Sequence, residues 1–246
     1  MAIPANAPNL VVVAITFSLL IGSCFSQKAR CGLAYITVPM LCIFALNRIS
    51  GSYDLVKELT FYASYHADWR NQVVHIIFVP LLVATAMVFL AYVPPLVRAR
   101  PLGLPLNWAM VAATAWSLHF VCAAPLIGSL VALLTYAMAF GATALVDREQ
   151  SKAGAKGVPD AAKFGQVAMW AGVMHVFGWY MQLHPGHAIF EGRKAALVDA
   201  LMQSFMDAPL FVWMEVAFAL GYDPALSDQL HSAVVAQHAE WAKAAA

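Results

Sequence analysis

The sequence predicts an all-α, multi-span transmembrane helical bundle, and three observations carry that prediction. Of 246 residues, 62% are hydrophobic and only 11% charged, where a soluble domain has about 25% charged. Mean hydropathy is +0.71. The apolar residues also gather into runs near the length of roughly 20 residues that a spanning helix needs. The formal net charge of +1 and the lack of any basic cluster exclude a nucleic-acid partner, so the partner that composition implies is the lipid bilayer.

The runs define the units. Stretches 10–25 and 32–46 are somewhat short and predict an N-terminal apolar hairpin or extra membrane segments as a unit over 1–50. No lysine or arginine precedes the first run and a second follows almost at once, so the first reads as a retained segment rather than a signal peptide. Residues 73–97 form a span with Pro80 inside it and Pro94-Pro95 closing it. Residues 108–146 read as two helices broken near Pro125, and 164–183 and 205–222 complete the main helical membrane unit, 51–222. Between them "DREQSKAGAKGVPDAAK", 147–163, reads as an exposed connecting loop. The last unit, 223–246, reads as an interfacial amphipathic helix with Ser227 as N-cap and Leu230, Val234 and Trp241 on one face. His231 and His238 are expected on its surface. Basic residues fall on several loops and assign no orientation. Cys24, Cys31, Cys42 and Cys122 lack metal-site spacing and read as reduced packing residues.

The histidines carry the chemistry. Of eight, His75, His119, His175 and His187 lie in or beside membrane segments, where polar groups are costly and mark functional sites. In "YHADWRNQVVH", Asp68 is a good N-cap for a helix beginning at Trp69, which leaves His66 on the preceding turn, free to fold back. Asn71 and His75, at i and i+4, share one face of that helix. In the second block, His175, Trp179 and Gln182 lie at i, i+4 and i+7. "HPGH" is expected to break the helix, placing His187 and Glu191 at i and i+4 on the next one. Imidazole clusters without cysteine suit iron, zinc, copper or nickel. Spacing alone leaves open a metal site, a histidine-lined proton relay and structural polar packing.

These blocks also resemble a known family. Tyr65-His66, Asn71, His75 and Pro80 match its "YH-x4-N-x3-H-x4-P" pattern. His175, Trp179, Gln182, Gly186-His187 and Phe190-Glu191 match its second block, followed by Ala195-Ala196-Leu197, Gln203-Ser204, Ala208-Pro209-Leu210-Phe211 and Glu215. The chain resembles, from about residue 55 to 222, the 2-hydroxy fatty acid dioxygenases of fungal phytosphingosine degradation. Between Gln182 and His187, "LHPG" is one residue longer than in many members, and Ala195 stands where proline is common.

The resemblance implies an Fe(II)-dependent membrane enzyme, of the endoplasmic reticulum membrane in a eukaryote, that uses O2 to shorten 2-hydroxy fatty acids by one carbon in sphingoid-base breakdown. It places the metal site near one membrane surface, with His66, His75, His175 and His187 as ligands. A 2-hydroxy acid chelates iron through carboxylate and hydroxyl, and leaving room for this chelate and O2 favours three histidines; His175, a full run of helix before "HPGH", ranks lowest. Glu191 and Asn71 would orient ligand imidazoles through their second nitrogen. Gln182 would bond the substrate carboxylate or bound oxygen. Arg70 or Arg193 would attract the carboxylate, or simply snorkel at the interface. An apolar groove between spans would hold the acyl chain. The alternatives are a non-enzymatic membrane protein, either a transporter with a histidine-lined path or a scaffold. A transporter would usually show internal hydropathy symmetry, and none is visible. A scaffold leaves the imidazoles unexplained. A di-iron desaturase would carry H-x-x-H-H boxes, which are missing.

Overall fold

A computed structural model of the chain describes residues 53–93, 105–152, 164–195 and 201–245. The predicted segments in 1–50, the Pro94-Pro95 stop and Cys24, Cys31 and Cys42 lie outside the described residues. Helices follow one another as α1 (Leu55–Ser64), α2 (Trp69–Ala91), α3 (Trp108–Ala123), α4 (Pro125–Lys152) and α5 (Gln166–Met181). A π-helical segment (Gln182–Glu191), α6 (Leu201–Ala219) and α7 (Pro224–Ala245) complete the order, and no strand occurs among the described residues. The all-α, multi-span bundle predicted by composition is what forms. By length and composition α2 and α4 can each cross a membrane, and α6 and α7 make a third candidate if counted as one span bent by 115°. At 16 residues, α3 reaches only about 24 Å, less than the roughly 30 Å hydrocarbon core. Leu126, Leu130 and Leu133 of α4 are exposed, an outer face suited to lipid.

Local chemistry sets the helix ends. Asp54 accepts the Lys57 N–H to start α1. Asp68 accepts the Arg70 N–H at 2.8 Å to start α2, as its N-cap chemistry predicts. The run over 108–146 divides at Pro125 as expected. There α3 and α4 close so tightly that a Cβ on Gly128 would lie 1.9 Å from the Phe120 carbonyl oxygen. Buried alanines such as Ala109, Ala112, Ala113, Ala139 and Ala142 lie in the shared core and let helix backbones approach. Gly128→Ala should therefore lower stability by about 2–3 kcal/mol, read as an earlier unfolding midpoint in detergent; an unchanged midpoint would mean that the hairpin is looser than described.

Three expectations are corrected. First, α4 continues to Lys152, so 147–152 are helical rather than loop. The reason is Glu149, whose carboxylate accepts the Val167 N–H at 2.8 Å and the Tyr92 hydroxyl, placing a negative group at the start of α5. Second, α7 starts at Pro224. Asp223, not Ser227, caps it by accepting the Leu226 N–H at 3.1 Å, with proline at a helix start where its missing N–H is harmless. Third, "HPGH" does not stop the helix. The chain widens into π turns through Pro185, and the segment ends at Gly192, whose φ of 62° suits glycine.

Candidate metal centre

His66, His75 and His187 each offer a ring nitrogen, and these nitrogens all lie within 4.8 Å of one another. Their ring centroids are 4.3, 4.9 and 5.0 Å apart, and all three residues are buried. His66 sits on the turn after α1, stacked on Tyr62 at 4.0 Å. Gln72 of α2 donates to the His66 carbonyl at 2.8 Å and pins that turn. His75 belongs to α2 and His187 to the π segment, so three separate pieces of chain converge. The π turns carry "LHPG" and leave His187 buried.

Hydrogen bonds orient two of the rings. His66 Nδ1 lies 2.7 Å from the Tyr62 carbonyl oxygen, and His75 Nδ1 lies 3.0 Å from that of Asn71. A carbonyl oxygen only accepts, so each Nδ1 carries the proton and each Nε2 keeps its lone pair. His66 Nε2 and His187 Nδ1 are buried without a hydrogen-bond partner among the described residues. Burying such a nitrogen unpaired is unfavourable by about 1–3 kcal/mol, and a metal ion would satisfy both. The donor set, all imidazole, fits a transition metal such as iron.

The rings are also in the right protonation state. Burial first, then the nearby His75 and His187, hold His66 well below the usual histidine pKa. Burial lowers His187 from 6.5 to about 4. Metals bind neutral imidazole. Below pH 6.5 the unfolded chain takes up protons that folded His187 refuses until about pH 4. Stability of the metal-free protein should thus fall as pH drops through this window and be fully present above it. A denaturation midpoint flat between these pH values would contradict the burial.

The other expected residues occupy different posts. Asn71, fully buried, donates to Glu191 Oε1 at 3.1 Å, and the Asp68 N–H donates to the same oxygen at 2.8 Å. Glu191 therefore ties the π segment to the start of α2. The side chains of Asn71 and Glu191 meet each other, while backbone carbonyls take the ring-orienting task, because an i−4 carbonyl lies within reach of each Nδ1. Gly186 allows this docking: a Cβ there would come within 2.4 Å of Asn71 Oδ1. Buried Gln182 lines the cavity beside the imidazoles.

His175, expected as a fourth ligand, stands apart from the cluster. Its Nε2 accepts from the Trp179 indole at 3.1 Å and its Nδ1 meets the Thr85 hydroxyl at 2.7 Å. An indole only donates, so both ring nitrogens are used within the protein. His184 is exposed and stacked on Tyr180 at 5.4 Å. Arg70 pairs with Asp68 at 2.6 Å and lies over Phe190, while Arg193 lies over Trp241. His238, expected on the surface, is half-buried with Nε2 2.9 Å from the Ser64 carbonyl oxygen, because α7 packs on α1.

From the imidazoles an apolar cavity of about 130 Å³ extends past Val79, Leu82 and Val83 to Ala86, bounded by Trp116, Phe205 and Pro209. Two buried polar pairs escaped the sequence reading. His119 Nε2 lies 2.5 Å from Asp207 Oδ1, a match across 88 positions with no local signal. The Tyr62 hydroxyl and the Glu215 carboxylate are buried against each other. Two carboxylates in one apolar helix, Asp207 and Glu215, were the signal that α6 carries buried polar contacts.

Residues 52–220 match the family described as 2-hydroxy-palmitic acid dioxygenase Mpo1-like. Over 180 residues the chain is 27% identical to the 2-hydroxy-palmitic acid dioxygenase MPO1 of Saccharomyces cerevisiae, covering 73% of this chain and 89% of that protein. No solved structure matches. The matched region includes all three clustered histidines and ends before α7.

Proposed function

This chain belongs to the 2-hydroxy-palmitic acid dioxygenase Mpo1-like family, and from that premise we propose that it is an Fe(II)-dependent dioxygenase that shortens 2-hydroxy fatty acids by one carbon. The observation that supports this most is the trio of buried imidazoles at one end of an apolar cavity, with two ring nitrogens unpaired. In a eukaryotic host its setting would be the endoplasmic reticulum membrane and the breakdown of phytosphingosine.

His66, His75 and His187 would hold the ion. Bound there, iron supplies O2 chemistry and a chelation point for the substrate's hydroxyl and carboxylate. The rest falls to the chain's own groups. The Tyr62 and Asn71 carbonyls keep the protons of His66 and His75 on Nδ1, so the opposite nitrogens stay free to ligate. Glu191 and Asn71 hold the π segment, and with it His187, against α2. Gln182, on the cavity wall beside the imidazoles, would bond the substrate carboxylate. The apolar wall takes the acyl chain and excludes water. Purified protein should carry iron and consume O2 when given a 2-hydroxy fatty acid. The absence of both iron and uptake would overturn this function and favour a transporter or scaffold.

A further inference from the structure

We propose that the end of the cavity farthest from the imidazoles, lined by Ala86 of α2 with Phe89 one turn beyond it, is a ruler that sets the acyl length of the bound acid; this rests on the reading of the cavity as the acyl site of a 2-hydroxy acid enzyme. His75, Val79, Leu82, Val83 and Ala86 line the cavity. Their spacing, i, i+4, i+7, i+8 and i+11, is one stripe of a helix, so the cavity follows the axis of α2 away from His75.

The facing walls give the same direction. α5 runs opposite to α2: a Cβ on Gly178 would lie 3.0 Å from Leu82, and His175 meets Thr85. Gln182 is thus level with the imidazoles and His175 with the far end. On the third side, the Phe205 ring lies 5.5 Å from that of Trp116, and both border the cavity. The next position of the α2 stripe is Phe89. It is buried, and its ring lies 5.8 Å from His175. The groove that the Ala86 methyl leaves open is therefore filled one turn later.

The length follows from helix geometry. Ala86 comes eleven residues after His75, or about 16 Å at 1.5 Å per residue. An extended chain advances about 1.2 Å per bond, a third of the rise of an extended residue. About 13 bonds therefore fit before the Phe89 ring, so with the carboxyl and hydroxyl-bearing carbons at the imidazoles the best acid has about 15 carbons.

The test is the dissociation constant of a series of 2-hydroxy acids, from ten to twenty-two carbons, measured on the full-length protein beside turnover of the same series. In the unmodified protein affinity should rise with each carbon and level near fifteen or sixteen. Ala86→Phe should move the plateau two or three carbons shorter, weakening the sixteen-carbon acid about tenfold against the twelve-carbon one. Phe89→Ala should move it longer, and Ala86→Leu serves if the bulkier variant does not fold. Bound metal should be unchanged in all of them, because Ala86 lies three turns from His75. Binding with a plateau that no variant moves overturns the ruler and leaves the dioxygenase function standing. Shifted plateaus without turnover uphold the ruler and overturn that function. An unmodified protein that binds none of the acids overturns both.

Discussion

His66→Ala, His75→Ala and His187→Ala should each lose bound metal and turnover together while still inserting in the membrane. The reason is convergence. The three ring nitrogens lie within 4.8 Å of one another, and each comes from a different piece of chain, so no neighbour can take a missing ligand's place. Loss of a group that merely orients a ligand weakens metal binding about 10–100-fold, and loss of the ligand itself should exceed the upper end of that range. His184→Ala and His231→Ala should keep both metal and activity, since His184 and His231 are exposed. His175→Ala should keep the metal, because its nitrogens are already committed to Thr85 and Trp179. Metal analysis and product formation on these variants decide the ligand set. Metal loss from His184→Ala with retention in His187→Ala would show that the π turns carry the wrong histidine inward.

The second large effect is on substrate. An acid hydroxylated at carbon 2 should be turned over, while the unsubstituted and 3-hydroxy acids of equal length should be disfavoured by about 10⁴-fold, the scale on which sites built for a polar group reject a ligand lacking it. The cavity explains why the selection must occur at the imidazole end. Away from that end the α2 wall is apolar, contributed by Val79, Leu82, Val83 and Ala86, and the His175 nitrogens are already paired with Thr85 and Trp179, so this part recognises length and hydrophobicity without distinguishing a hydroxyl position. Comparable rates on palmitate and 2-hydroxypalmitate would end the chelation idea even in iron-loaded protein.

Much of the candidate site was legible in the sequence because it is written in short-range chemistry. Asp68 caps α2 through a contact with its second neighbour, so the turn that frees His66 could be read locally. Asn71 and His75 are one turn apart and are both buried. What misled the reading was also local. Proline and glycine in "HPGH" normally end a helix, but here docking decides: Glu191 bonds to Asp68 and Asn71, and that anchorage holds π turns a free peptide would not keep. The same holds at Glu149, whose contacts with Tyr92 and Val167 extend α4 through a stretch that composition marks as loop.

By itself, then, the sequence determined the class of molecule, the Asp68 start of α2, the break at Pro125 and the supply of imidazoles, because hydropathy, capping and helical period act over a few residues. Only the tertiary structure decided which histidines meet. His75 and His175 both sit buried on helices that face each other, yet one turns toward the turn at His66 and the other is held by Thr85 and Trp179. It likewise decided that His119 finds Asp207 and that the Phe89 ring packs against His175. A side chain's partner across tens of positions is set by how helices pack, and neither period nor composition encodes that distance.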